Sequence, residues 1–411
     1  MRNSQRFLSK IFLHSPLSLI LFLCLFLVIS FKYSLNLADF GDYIRAGSLI
    51  ADRINPYESL MYANSPVSAL FFYLISLVVP FSILPIMIHL LNMAGIVYFL
   101  KWYLDQKLDA VVFFILSLLL VSGVGRALFG NVQVTGITLG LVAVAFTVNT
   151  KYKFNFLPIF FLLLAFEIKA QIAIPFIVFY IFQGVGAFKK ISIFIFSSLS
   201  IHALVEMYYG GNLHLSWLKK VIKYSQNSIL ESSYEISIWK SINEVFEQEK
   251  LIRVLSTLTV LVFLLLITKF SNLNSEKALF LALVFPIFNS YVHLYDYIGV
   301  LLIAIKYVSR GRFEKLILIS PFIFIFPLSK NLFFISILIE LILVSIVLYK
   351  FKNNAYIGLV FGLFIYQLSI YPHLIDKNQE IQMSFYLSVP TLLLTLYTYR
   401  NVFKNTSLLN N

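Results

Sequence analysis

Acidic and aromatic residues crowd one short stretch of the chain, Asp39-Phe40-Gly41-Asp42-Tyr43-Ile44-Arg45-Ala46, followed by Asp52 and by Asn55-Pro56-Tyr57. At helical spacing Asp39, Asp42 and Ala46 fall along one stripe, with Phe40, Tyr43, Ile44 and Ile50 broadly opposite, the pattern of an interfacial helix. Asn55-Pro56 is expected to end that helix. A carboxylate carried there could reach a lipid head group and act as general base. The same acids equally fit a solvated loop.

Three further polar groups interrupt apolar sequence: Arg126 with Asn131 and Gln133, Glu167 with Lys169 and Gln171, and His293 with Tyr295 and Asp296. Ionisable groups at membrane depth are costly and usually face a cavity or a partner. Glu167 and Lys169, two residues apart, cannot share a helix face, so a break between Phe166 and Ile172 is expected. Arg126 and Lys169 are natural donors to phosphate oxygens. The alternative is that Lys169 snorkels and Arg126 caps a helix. His293 and Asp296, at i and i+3, share a face and could form a proton relay, bind phosphate or serve structure alone.

His202, His214 and His373 are too dispersed in the sequence to be read together. No HExxH motif and no DxD pair stands in the outer loops, so no metal or other cofactor is called for. Gly184-Val185-Gly186 before Lys189-Lys190 lacks the strand and helix of a phosphate loop and reads as a turn.

The elements that position these groups follow from composition. Of 411 residues 60% are hydrophobic and 12% charged, against roughly a quarter charged in a soluble domain. Apolar runs such as Ile11 to Phe31, Ile191 to Met207, Val254 to Thr268 and Asn331 to Tyr349 approach the ~20 residues of a bilayer crossing. Runs such as Ser117 to Val121 lack the alternation of a transmembrane barrel. The fold class is therefore an all-α polytopic membrane protein, with about 12–14 transmembrane helices forming one domain over residues 1–411.

The first run follows Arg2, Arg6 and Lys10 without a small-residue cleavage site and reads as a retained anchor. The net charge of +13 arises from cations between hydrophobic runs, without a basic stripe interleaved with aromatics, so no nucleic acid is expected as a partner. Cys24 is the only cysteine, which excludes an intramolecular disulfide. The basic connections fall on one side of the membrane if both termini are cytoplasmic and Val67 to Val79 does not cross. Two polar segments, 32–65 and 210–250, then lie outside as candidate walls of a site.

The order of these pieces resembles the GT-C membrane glycosyltransferases, family 87, the polyprenol-phosphate-mannose-dependent α-mannosyltransferase-like proteins of bacteria. Asp39, Phe40, Tyr43 and Ala46 match the family's Asp-Phe-x-x-Tyr-x-x-Ala segment after the first span. Its Gly-x-x-Pro-Tyr turn appears as Arg53-Ile54-Asn55-Pro56-Tyr57, without the glycine. Its Gly-Gln-x-Asn feature appears as Gly130-Asn131-Val132-Gln133, with the amides exchanged. Ile168, Lys169 and Pro175, then Pro286, His293, Tyr295 and Asp296, follow in the family's order. The match covers roughly Asp39 to Tyr297.

The resemblance implies a GT-C-like bundle in a bacterial plasma (inner) membrane, with an active site facing the extracytoplasmic side. It implies a polyprenyl-phosphate-sugar donor, a lipid or glycan acceptor, surrounding membrane lipids and no metal. Asp39 would be the general base of an inverting transfer, with Asp42 as the competing candidate. Tyr43, Arg126, Gln133, Lys169, His293 and Asp296 would bind substrate, and Lys169, Arg126 or His293 would stabilise charge growing on the phosphate. A transporter or flippase of a lipid-linked glycan would instead place charges near the middle of several spans, with paired broken helices. A lipid-linked oligosaccharide polymerase or ligase would depend on loop Arg and His.

Overall fold

The computed structural model describes residues 17–33, 38–60, 62–104, 110–121, 123–151, 156–231 and 248–289, together with 239, 242, 293, 296, 298, 299, 302 and 303. All regular elements among the described residues are helical. In chain order they are α1 (Leu17–Tyr33), α2 (Ala38–Ala51), α3 (Pro56–Ser59), α4 (Pro66–Val78), α5 (Leu84–Leu104), α6 (Ala110–Val121) and α7 (Gly123–Gly130). After them come α8 (Thr135–Lys151), α9 (Phe156–Phe182), α10 (Ala187–Tyr209), α11 (Leu213–Glu231), α12 (Glu249–Leu273) and α13 (Ser275–Val284). A 3-10 turn, Phe285–Phe288, completes the order.

Four of these, α5, α9, α10 and α12, have 21 to 27 residues and are apolar enough to cross a membrane. The chain is an all-α membrane protein. The four differ in how much of their surface the protein covers: 56% and 61% of the apolar windows of α5 and α9 are buried, against 6% and 17% for α10 and α12. The first two are therefore central, and the second two present side chains such as Phe196, Leu199, Leu261 and Leu265 outward. The described part of the first hydrophobic run lies within α1, a helix of 17 residues that continues past it to Tyr33. The run from Asn331 to Tyr349 lies outside the described residues.

Helix α8 packs on both α5 and α9, α1 packs on α6, and α12 and α13 pack on α9. Phe99, Phe146, Phe176, Phe179 and Tyr180 fill the centre of this bundle with ring contacts. The seam between α5 and α8 is built of small residues that bring the two backbones together. A Cβ on Gly136 would lie 2.4 Å from the Asn92 carbonyl oxygen, so nothing larger than glycine fits there.

A second core covers one end of the bundle. Phe40, Tyr43, Ile44 and Ile50 of α2 are buried against Phe72 and Ala69 of α4, with Ile88, Val134, Ile168 and Leu213 beneath them. Asp39 and Asp42 lie on the exposed side, as the spacing predicts. Ala46 does not: it is fully buried on the apolar side. A methyl side chain one turn beyond Tyr43 and beside Gly47 lets α2 sit directly on α4, where Gly47 meets the Ala69 carbonyl.

Helix α4 is 13 residues long, about 20 Å, and short of the ~30 Å hydrocarbon core. Ser65 begins it by accepting the Val67 N–H at 3.1 Å, with Pro66 in the first turn. Asn55 does not close α2, which ends at Ala51; its side chain accepts the Tyr57 N–H and opens α3. Within the segment 210–250, read from sequence as an outer loop, Leu213–Glu231 is helical. Gly210, at φ 79°, ends α10 and turns the chain back.

Candidate functional site

Helix α9 is broken where Glu167 and Lys169 required a break. Lys169 has non-helical angles, φ −154° and ψ 84°, in the middle of an otherwise continuous 27-residue helix. Pro175 adds a second defect by removing one N–H from the ladder. Carbonyls freed by such a break need other donors inside a membrane protein. The Tyr43 hydroxyl from α2 donates to the Ile168 carbonyl at 3.4 Å, tying α2 to the break.

The break turns Glu167 and Lys169 to different partners. Lys169 is 7% exposed, donates to Thr135 Oγ1 at 2.8 Å and pairs with Asp296 Oδ1 at 2.8 Å. Asp296 is 1% exposed; its Oδ2 accepts the Gln171 side-chain amide at 2.8 Å and the His293 backbone N–H at 3.1 Å. Lys169 is thus a buried, partnered cation and does not snorkel. Removing one member of such a pair strands a buried charge, which costs stability whatever the net contribution of the intact pair.

Asp39 reaches the same region from α2. Its carboxylate accepts the Gln133 side-chain amide, and Gln133 is buried. Gln133 ends a tight turn in which Val132 adopts φ 49°, an uncommon conformation for a β-branched residue that costs on the order of 1–3 kcal/mol. Asn92 of α5 holds this turn from below: its amide donates to the Gln133 carbonyl, and its oxygen accepts the Ile137 N–H at 3.2 Å. The segment from Gln133 to Thr135 therefore presents one side chain to Asp39 and another to Lys169.

The electrostatics suit a base. Partial desolvation and the neighbouring Asp42 carboxylate push the Asp39 carboxyl above its ordinary range, opposed by Lys169 and by the Gln133 hydrogen bond. Asp42 is also pushed up by desolvation, against the Arg45 guanidinium. Burial, then Asp39 and Asp296, raise the Tyr43 hydroxyl, which stays protonated as a donor.

Of the eight site residues read from the sequence, Asp39 contacts Gln133, Lys169 contacts Asp296, and Tyr43 bonds the backbone next to Lys169 at Ile168. Asp42 is exposed on the next turn of α2. His293 contributes its backbone N–H. Arg126 lies on α7, and its side chain, like Tyr295, is outside the described residues. Thr135 and Asn92 were not anticipated; a buried Asn in an apolar helix was the available signal.

The histidines correct the sequence reading. His202 and His214, too dispersed in sequence to be argued together, stand with ring centroids 4.7 Å apart, and His202 reaches Glu167 at 3.0 Å. The Gly210 turn accounts for this, because it lays α11 beside the end of α10. No protein-family model matches the chain, and no curated protein matches it.

Proposed function

We propose that the chain is a membrane glycosyltransferase, which moves a sugar, mannose or a similar hexose or pentose, from a polyprenyl-phosphate donor to a hydroxyl of a lipid or glycan acceptor at the extracytoplasmic face. Asp39 takes the proton from the acceptor hydroxyl as the oxygen attacks the anomeric carbon. The bond from that carbon to the phosphate oxygen breaks, its electron pair stays on the phosphate, and configuration inverts. The raised basicity of Asp39 favours proton removal, and Gln133 fixes the direction of the carboxylate. Lys169, held in place by Asp296 and Thr135, stabilises the charge that grows on the leaving phosphate. The observation that carries this reading is the meeting of Asp39 and Lys169 on one short turn, Gln133 to Thr135.

The test is transfer of radiolabelled sugar from mannosyl, glucosyl and arabinosyl polyprenyl phosphates to membrane extracts by the purified protein in liposomes. Labelled product from at least one donor is expected. A broken α9 with a buried ion pair also suits a transporter of a lipid-linked glycan. No product from any donor, with movement of the intact lipid-linked glycan between leaflets, would establish that second reading instead.

A further inference from the structure

On the other side of the break from Lys169, four titratable side chains stand in a single file: two hydrogen bonds join His202, His214 and Glu206, and Glu167 meets His202 as an ion-pair contact. Glu167 Oε1 meets His202 Nε2 at 3.0 Å, His202 Nδ1 meets His214 Nε2 at 2.7 Å, and His214 Nδ1 meets a carboxylate oxygen of Glu206. Ser65 closes the inner end by donating to the second Glu167 oxygen. Exposure rises along the file: 2% for the Glu167 side chain, 16% for His202, 20% for His214 and 31% for Glu206. Trp217 stacks on His202 at 5.8 Å, with its N–H donated to the Ala63 carbonyl, and keeps that ring in register.

The outer end is fixed in position. Glu206 accepts the backbone N–H groups of Leu213 and His214, at 2.8 and 3.0 Å, and so occupies the N-terminus of α11. The other titratable groups near the file are Tyr57 on α3, which senses the Glu167 charge, and Tyr209 on α10, which senses Glu206 and Glu58. Lys169 faces away, toward Asp296.

We propose that Glu167, His202, His214 and Glu206 form a proton relay joining the buried break in α9 to the exposed end at Glu206. Each ring uses both its nitrogens along a line, and the two rings stand nearly perpendicular at 85°, so the donor atoms do not converge on one point as metal ligands would. The file has three contacts, two hydrogen bonds and the 3.0 Å Glu167–His202 ion-pair contact, and each is attractive with one proton in it, neither two nor none. With both carboxylates ionised, the four ring nitrogens must share three protons: one ring is imidazolium and the other neutral. That state lies midway along the relay: it starts with the inner proton on Glu167 and both rings neutral, and as each of the three protons moves one place outward, three bonds to hydrogen break and three form. Glu167 loses a proton, Glu206 gains one, and each ring exchanges one neutral tautomer for the other. The relay does not depend on the proposed transferase activity.

The test uses the full-length protein in lipid nanodiscs with ring-15N histidine. Expected are a through-hydrogen-bond coupling between the His202 and His214 ring nitrogens at neutral pH, three ring protons on the pair, and matched exchange of both rings with water. In Glu206→Gln, exchange at His202 slows together with exchange at His214, although His202 does not touch residue 206. Rings that carry independent proton counts, show no coupling, or exchange at the wild-type rate at His202 in the variant would overturn the relay. If Glu206→Gln does not fold, the wild-type coupling and proton count decide alone.

Discussion

Glu167 and Lys169 lie two residues apart on one broken helix, yet they anchor two unlike polar regions. The Lys169 side is a compensated ion pair, enclosed by Asp296, Thr135 and Gln171, with Asp39 brought to it by Gln133. The Glu167 side is an open-ended file of rings and carboxylates, buried at one end and a third exposed at the other. A closed pair holds a charge still; a graded file lets a proton move. The difference shows how one break in a membrane helix can supply both a fixed field and a route to water, because the two side chains leave it in different directions.

Breaking the closed side should have the largest effect on stability. Lys169→Met leaves the Asp296 carboxylate buried without its cation and is expected to cost about 3–5 kcal/mol, read as a lowered unfolding temperature in detergent. The double variant Lys169→Met/Asp296→Leu should recover most of that loss and still be inactive in sugar transfer. An active double variant would reduce the pair to a structural role. Next in size is Gly136→Ala, whose Cβ would meet the Asn92 carbonyl at 2.4 Å. Forcing α5 from α8 should cost about 1–3 kcal/mol and displace the Gln133 turn, lowering transfer more than the stability change alone. Tyr43→Phe removes the donor to the Ile168 carbonyl and should cost about 1 kcal/mol, with the fold kept.

The pH profile sharpens the comparison further. Desolvation and Asp42 raise the Asp39 carboxyl, so the base form is lost as pH falls through a value above the ordinary carboxylate range. Transfer should therefore decline on the acid side, and Asp42→Asn should move that decline to lower pH by removing one of the raising charges. A decline that does not move in Asp42→Asn would detach the acid limb from Asp39.

Much of the closed side was legible from residue spacing. The stripe of Asp39 and Asp42 opposite Phe40, Tyr43, Ile44 and Ile50 follows from 3.6-residue periodicity, and the break follows from two opposite charges that cannot share a face. Ala46 was misplaced because a small side chain carries little hydrophobic signal, although small size is what close helix contact needs. Thr135 and Asn92 were not legible, because their roles depend on how α5 meets α8. The open side was missed for a different reason. His202 and His214 are twelve residues apart across a helix end, and only the reversal at Gly210 brings them together. Gly210-Gly211 after a long apolar helix was the one signal that the chain turns back there.

The most direct test of the central claim is sugar transfer by Asp39→Asn beside the wild type, at matched amounts of folded protein in the same liposomes. Asparagine keeps the size and the contact with Gln133 but cannot take a proton, so transfer should fall by about 10²- to 10⁴-fold with donor binding retained. Transfer at the wild-type rate would contradict the assignment of Asp39 as the base and, with it, the mechanism built on the meeting of α2 with the broken helix.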